Sequence, residues 1–247
     1  MPDLAFEIAL QNRGLRRIAG IDEAGRGPLA GPVAAAAVIL PLHFSCAGLD
    51  DSKKLSATKR VVLYDRLTTD PEIAWAVATA DHEEIDQLNI LKATHLAMWR
   101  AVEALDPPPD HCLIDGLPVK NFPLPHDGIV KGDGLSLSIA AASIIAKVTR
   151  DRIMHDLDRE FPQFGFAKHQ GYGTKAHLEA LRNHGPCRHH RRSFQPVAQC
   201  SLPFDKPRRV EIRSDLAGKL RGAGGSRMAE IPGMQDFGKK LSRSTKG

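Results

Sequence analysis

The sequence predicts an α/β fold, in which helices flank a central sheet. Short apolar segments of strand length alternate with longer segments of helical periodicity over residues 16–160. Such alternation is typical of sheets that contain at least some parallel strands. Hydrophobic residues make up 42% of the 247 residues and aromatic residues only 5%, so the predicted core consists mainly of small aliphatic side chains.

Five segments have the length and apolar character of β-strands. The segment Val33–Leu40 is continuously apolar, which indicates a strand buried on both faces. The predicted strands are Arg16–Ile21, Val33–Leu40, Glu72–Thr79, His111–Asp115 and Gly128–Lys131.

Four further segments carry apolar residues at helical spacing. Ser56 is a candidate N-cap for the first helix, and the three prolines after Asp106 end the second. The third helix is rich in Ala and Ile, which indicates packing against the sheet. The predicted helices are Ser56–Leu67, His82–Leu105, Ser136–Asp158 and Lys175–His184.

Positive charge is concentrated at the end of the chain. Residues 203–247 contain 11 basic and 5 acidic residues, a net charge of +6, whereas the remaining 23 basic and 24 acidic residues give −1. The apolar pattern also decays after Phe204. We therefore predict a domain over residues 1–202 and a basic, disordered tail over residues 203–247. Such a tail either attracts nucleic acid in a salt-dependent way or has no effect.

Several classes of protein are disfavoured. No apolar run approaches the roughly 20 residues that span a bilayer, and the first ten residues lack the pattern of a secretory signal. The cysteines form no Cys-x-x-Cys pair, and Cys187-Arg188-His189-His190 with Cys200 fits no usual zinc spacing. No Walker-type phosphate loop is present. We therefore expect a cytoplasmic protein without a membrane segment.

Four acidic residues lie where predicted strands end or in the glycine-containing loops that follow. In α/β sheets, ligands collect at such strand ends. A carboxylate placed directly after buried β-branched residues is unfavourable unless it is paired or binds a cation. Several carboxylates together repel one another, and hard oxygen ligands suit Mg²⁺ or Mn²⁺. These residues are Asp22, Glu23, Asp115 and Asp133.

Structural roles for these acids are the alternative. An aspartate beside glycine is commonly a turn residue or a helix cap, so Asp133 is also a candidate cap for the helix that begins near Ser136. Asp22 and Glu23 are neighbours, and neighbours on a regular strand point to opposite faces. They can share a site only if the strand breaks there, and Gly25 favours such a break.

The loop Gly25-Arg26-Gly27-Pro28 is a second candidate site. Its glycines permit close approach of the backbone to a phosphate or sugar, and Arg26 can bind a phosphate through two hydrogen bonds. By itself this pattern is not specific.

Together, these and further segments resemble the motifs of bacterial ribonuclease HII. They occur in that family's order within residues 16–197. The matching segments are Gly20–Pro28, Asp51–Leu55, Ile114–Gly116, Lys131–Asp133, Ser138–Asp151, His169–Thr174 and His190–Phe194. Few residues precede the first predicted strand, which favours type HII over ribonuclease HIII, because the latter usually carries a substrate-binding domain there.

The resemblance implies a ribonuclease H-like fold with a central mixed sheet, flanking helices and a helical C-terminal part. It implies an endonuclease that hydrolyses the RNA strand of RNA–DNA hybrids and cuts at ribonucleotides embedded in duplex DNA. Its products would carry 5′-phosphate and 3′-hydroxyl ends. It further implies that Asp22, Glu23, Asp115 and Asp133 are the active-site carboxylates, which bind two divalent cations, Mn²⁺ or Mg²⁺.

The resemblance also implies how the substrate is recognised. Gly25-Arg26-Gly27 and Tyr172 would read the ribonucleotide, through the 2′-hydroxyl that DNA lacks. Lys53 would contact a phosphate, and Arg191 and Arg192 would help to hold the duplex. We expect a monomer. Two other functions remain open: a different nuclease on the same fold, and a hybrid-binding protein without catalytic activity.

Overall fold

The computed structural model describes residues 1–200. The predicted tail over residues 203–247 lies outside the described residues, so its expected disorder stays a prediction.

A single five-stranded sheet forms the centre of the described chain, in the order β3-β2-β1-β4-β5. The pairs β1–β2 and β2–β3 are antiparallel, whereas β1–β4 and β4–β5 are parallel. The predicted mixed sheet is therefore confirmed. The strands are β1 (Ile18–Ala24), β2 (Val33–Ile39), β3 (Ala74–Ala80), β4 (His111–Asp115) and β5 (His126–Ile129).

Helices cover both faces of this sheet. Helices α2 and α5 lie on one face, and α4 packs on the other against β1, β2 and β3. Shorter helices follow α5, as the predicted helical C-terminal part requires. The helices are α1 (Ala5–Gln11), α2 (Ala57–Thr69), α3 (His82–Leu88), α4 (Ile90–Glu103), α5 (Leu137–Glu160), α6 (Phe166–His169), α7 (Lys175–His184) and α8 (Gln195–Ala198).

Several elements differ from the prediction, and β5 (His126–Ile129) begins and ends two residues before the predicted Gly128–Lys131. The single helix predicted over His82–Leu105 is two helices, because Asn89 adopts a positive φ of 70° and its side chain caps α4. Strand β1 continues to Ala24 rather than ending at Ile21, because its antiparallel pairing with β2 carries the ladder onward. Helix α1 is not among the predicted elements.

Small residues allow α5 to approach the sheet closely. The four alanines of β2, residues 34–37, are fully buried between the two helical layers. At Gly20 in β1, an added Cβ would lie 2.2 Å from the backbone carbon of Ser138 and 2.3 Å from the backbone nitrogen of Ile139. The N-terminus of α5 therefore rests directly on β1, two residues before Asp22.

We predict that Gly20→Ala lowers the free energy of unfolding by about 3 kcal/mol, because the new methyl group overlaps helix backbone rather than a flexible side chain. Urea unfolding measures the change. Gly134→Ala is the matched control, since the nearest atom to its added Cβ is Lys54 Nζ at 3.8 Å. Equal losses in the two variants would contradict the importance of this close approach.

Candidate active site

Two aspartates stand side by side at the ends of neighbouring parallel strands. The β1–β4 register pairs Ile21 with Ile114, so Asp22 and Asp115 follow as neighbours. A third aspartate, Asp133, lies in the 3-10 turn Gly132–Gly134 between β5 and α5. The N–H of Gly132 donates a 2.7 Å hydrogen bond to Asp115 Oδ1, which ties this turn to the end of β4.

The three aspartates converge on one point. One carboxylate oxygen from each of Asp22, Asp115 and Asp133 lies within 4.8 Å of the other two. Asp22 and Asp133 are only 4% and 6% exposed. Within residues 1–200 this is the one group of acidic, histidine or cysteine side chains with the spacing of a metal site.

Burial and repulsion by neighbouring carboxylates make Asp22 and Asp133 hard to ionise. Burial, with Glu23 and Asp115 as neighbours, raises the pKa of Asp22 well above its ordinary value. Burial and Asp115 also raise the pKa of Asp133, although the Lys53 ammonium, 3.3 Å from Asp133 Oδ2, opposes the shift. A divalent cation would offset this repulsion, and the all-oxygen donor set fits one.

Glu23 lies beside the three aspartates but is not part of the group whose oxygens lie within 4.8 Å of one another. The strand break expected between Asp22 and Glu23 does not occur, because β1 stays paired with β2 through Ala24. The two side chains therefore leave β1 on opposite sides, yet Glu23 is near enough to help raise the pKa of Asp22, and burial with the Asp115 carboxylate raises the pKa of Glu23. Glu23 Oε1 accepts a 3.2 Å hydrogen bond from Arg26, and the Glu23 N–H donates to Asp22 Oδ1 at 2.7 Å. A catalytic role for Glu23 stays a prediction.

The capping role considered for Asp133 is wrong. The N-cap of α5 is Ser136, whose hydroxyl accepts a hydrogen bond from the N–H of Ile139. Asp133 instead directs its carboxylate toward Lys53 and the other two aspartates.

Lys53 reaches this cluster from a short 3-10 helix, Ser52–Lys54. Asp51 caps that helix by accepting from the N–H of Lys53, and the N–H of Ser52 donates to Ser143 Oγ on α5. The lysine side chain itself is largely exposed. Its ammonium group is thus anchored at its base and open to solvent beside the carboxylates.

The glycine loop and Tyr172 form one unit. Gly25 has a positive φ of 98° just after the end of β1. A Cβ added to Gly27 would lie 3.4 Å from Tyr172 Cε1, so this half-exposed ring faces the loop. The N–H of Leu29 donates to the carbonyl of Gly171 at 2.8 Å, which joins the two segments.

A network of side-chain contacts extends from the Tyr172 backbone carbonyl to Cys187. His177 Nδ1 lies 2.9 Å from the Tyr172 carbonyl oxygen, and its Nε2 lies 3.0 Å from His190 Nε2. His190 Nδ1 in turn lies 3.1 Å from Cys187 Sγ. These contacts join Cys187, His190 and His177 in one hydrogen-bonded network that ends at the Tyr172 carbonyl.

The expectation that Arg191 holds the duplex is wrong. Its side chain is 0% exposed, and it donates hydrogen bonds to backbone carbonyls of the β1–β2 loop. The neighbouring Arg192 uses its backbone N–H to bind the Asp86 carboxylate at 2.8 Å.

Comparisons with known proteins decide the family. The sequence model of ribonuclease HII matches residues 19–197. The ribonuclease HII of Magnetococcus marinus is 56% identical over 203 residues, which cover 80% of this chain and 94% of that protein. The ribonuclease HII of Geobacillus kaustophilus is 54% identical over 196 residues, 79% of this chain and 75% of that one. The chain belongs to the ribonuclease HII family.

A solved structure confirms the fold. The crystal structure of ribonuclease H2 from Pyrococcus horikoshii covers 75% of this chain and 97% of its own, with a TM-score of 0.63 and 24% identity. The predicted ribonuclease H-like fold is thus confirmed. As a family member the chain is a ribonuclease H, an endoribonuclease of RNA–DNA hybrids that requires a divalent metal ion. Among residues 1–200, no helix combines the length and apolar character needed to cross a membrane.

We predict that Asp22→Asn raises the free energy of unfolding by about 1 kcal/mol when divalent ions are chelated. The substitution removes a buried charge that its neighbours repel, and the amide oxygen can still accept from the Glu23 N–H. Urea unfolding in chelator measures the change, and added Mn²⁺ should stabilise the wild type but not the variant. Asp156→Asn, at an exposed site, is the control. A lower free energy of unfolding in Asp22→Asn would contradict the inference that neighbouring carboxylates repel the Asp22 charge.

The histidine network makes the fold sensitive to acid. Burial lowers the pKa of His190 to about 3, whereas an unfolded histidine titrates near 6.5. Below pH 6.5 the unfolded chain therefore binds a proton that the folded chain does not. Stability falls as the pH drops, and His190 accounts for about 2 kcal/mol of the loss at pH 5.

Urea unfolding at pH 7 and pH 5 tests this effect. We predict that His190→Gln flattens the pH dependence, because glutamine does not titrate, even if the variant is less stable at both pH values. His155→Gln replaces an exposed histidine and should leave the pH dependence unchanged. Identical pH dependence in all three proteins would refute the role of His190.

Proposed function

We propose that the enzyme also cuts at single ribonucleotides embedded in duplex DNA, through two divalent ions, Mg²⁺ or Mn²⁺, and leaves 5′-phosphate and 3′-hydroxyl ends. The observation that carries this proposal is the convergence of three aspartate oxygens, from the buried Asp22 and Asp133 and the half-buried Asp115, within 4.8 Å of one another. One of the three, Asp22, lies on β1, which continues within five residues into the loop that faces Tyr172.

The carboxylates would bind the ions in the following way. Asp22 would be the central ligand of the ions, since one of its carboxylate oxygens lies within 4.8 Å of an oxygen of both Asp115 and Asp133. Glu23 and Asp115 would each complete one side, and Asp133 would bind the second ion or its water. When bound, the ions supply activation of the attacking water and stabilisation of the leaving 3′ oxygen.

The remaining residues would orient the substrate. The exposed Lys53 ammonium, already beside Asp133, would contact a phosphate next to the scissile bond. The backbone of Gly25-Arg26-Gly27 would approach the ribose closely, because its two glycines have no side chains to block that approach. The ring of Tyr172 would stack on the sugar or base at the junction. The 2′-hydroxyl is the group that distinguishes ribose from deoxyribose there.

A cytoplasmic monomer is part of this proposal. All four cysteines are free thiols, as is usual in a reducing compartment. The exposed large apolar residues are spread over α1, α2, α4 and several loops of the described chain and form no obvious single interface.

We predict metal-dependent cutting of a labelled DNA duplex that carries one ribonucleotide. Cleavage should occur on the 5′ side of the ribonucleotide with Mg²⁺ or Mn²⁺ and stop in chelator. Asp22→Asn should lower the rate by more than about a hundredfold, because it removes the charge at the centre of the metal site. Asp156→Asn should cut like the wild type.

The other outcomes of this cleavage assay would each indicate a different function. If only a long RNA–DNA hybrid is cut, the junction role of Gly25-Arg26-Gly27 and Tyr172 is wrong. Cutting of an all-DNA duplex would indicate a different nuclease on this fold. Binding without cutting under either metal would indicate a hybrid-binding protein.

A further inference from the structure

Two buried arginines take no part in the proposed chemistry. Arg150 and Arg191 are 1% and 0% exposed. Burial lowers the pKa of Arg191 to about 9 and that of Arg150 to about 10. Within residues 1–200, neither guanidinium forms a hydrogen bond or short ion pair with a carboxylate. Two buried cations without such partners are unfavourable for stability, which suggests another reason for their presence.

Arg191 donates only to backbone carbonyls of the loop between β1 and β2. Its Nη2 donates to Gly25 O at 2.6 Å and to Pro32 O at 3.2 Å, and its Nη1 donates to Arg26 O at 2.8 Å. Its Nε donates to Gly31 O at 3.0 Å. One planar group therefore holds both arms of the loop.

These bonds fix the orientation of two peptide groups. In a planar trans peptide, the N–H points away from the preceding carbonyl. Because the carbonyls of Gly25 and Arg26 point inward to Arg191, the N–H groups of Arg26 and Gly27 point outward. Neither N–H donates a hydrogen bond to any residue of the described chain, and both residues are exposed.

Arg150 ties the facing segment to the same loop. Its Nη1 donates to Gln170 O at 3.1 Å, two residues before Tyr172, and its Nη2 donates to Ala30 O at 3.2 Å. A Cβ on Gly25 would lie 1.9 Å from Arg150 Nε, so only glycine fits there. The outward N–H groups thus belong to a loop that the Tyr172 ring faces, since a Cβ on Gly27 would lie 3.4 Å from Tyr172 Cε1.

We propose that Arg191 is a positioning residue for substrate selection, which presents the N–H groups of Arg26 and Gly27 as two fixed donors to the ribose 2′ oxygen. This inference rests on the proposed function of the loop. Donors that are already oriented need no rearrangement when the substrate arrives. A deoxyribose offers them no oxygen, so the contribution is specific for ribose.

The test is Arg191→Lys, which keeps the charge but cannot span four carbonyls from one ammonium group. For the duplex with one ribonucleotide, KM should rise about tenfold, the effect of losing roughly one net hydrogen bond. The inhibition constant of an all-DNA competitor duplex and the Mn²⁺ dissociation constant from calorimetry should stay within about twofold, since neither depends on the 2′ oxygen.

Leu67→Ala is the control for lost stability, because Leu67 is fully buried in the cluster between α2 and α5. It should lower the melting temperature and leave the ratio of KM to the competitor's inhibition constant unchanged. An unchanged ratio in Arg191→Lys, or the same change in Leu67→Ala, overturns the proposal. If the wild type does not cut the embedded ribonucleotide, the proposed function fails as well.

Hydrogen exchange on the wild type tests the same point if Arg191→Lys does not fold. In chelator, the amides of Arg26 and Gly27 should exchange freely in the unbound protein. The duplex with one ribonucleotide should slow their exchange, and an all-DNA duplex should not. Slow exchange in the unbound protein, or equal protection by both duplexes, overturns the proposal.

Discussion

Repulsion among three clustered carboxylates, two of them buried, is the constraint on which the rest of the structure depends. Asp22, Asp115 and Asp133 are held within 4.8 Å of one another, so the frame around them must resist their separation. Parallel pairing of β1 and β4 fixes two of them, and the Gly132 N–H to Asp115 bond fixes the turn that carries the third. The resulting cost in stability is relieved when a cation binds.

The frame extends beyond the part of the chain that the family model matches. Glu7 of α1 is buried, and its Oε1 accepts hydrogen bonds from Ser136 Oγ at 2.7 Å and from the N–H of Ser138 at 3.1 Å. The N–H of Asp3 also donates to Leu135 O. The N-terminal segment therefore binds the start of α5 through hydrogen bonds. On another side of α5, the absence of a side chain at Gly20 lets α5 pack directly on β1.

Sequence patterns predict the parts of this arrangement that local chemistry determines. The apolar run of β2 and the acids at the ends of strands predict the sheet and the meeting of Asp22 with Asp115. The extension of β1 was not predictable, because it depends on the ladder with a neighbouring strand. The burial of Arg191 could not be predicted from the sequence either, since its hydrogen-bond partners are carbonyls 159 to 166 positions away along the chain.

Two kinds of buried charge thus lie at the two ends of one short segment, Asp22–Gly27. At its start, Asp22 joins a carboxylate cluster whose repulsion favours a cation. At its end, backbone carbonyls accept hydrogen bonds from the guanidinium of Arg191. Glu23 and Arg26, bonded to each other, connect the two ends. Because six consecutive residues have little freedom between two fixed points, a shift of the loop also shifts the carboxylates. The proposed metal ligand Asp22 and the proposed ribose donors of Arg26 and Gly27 therefore share one stretch of six residues.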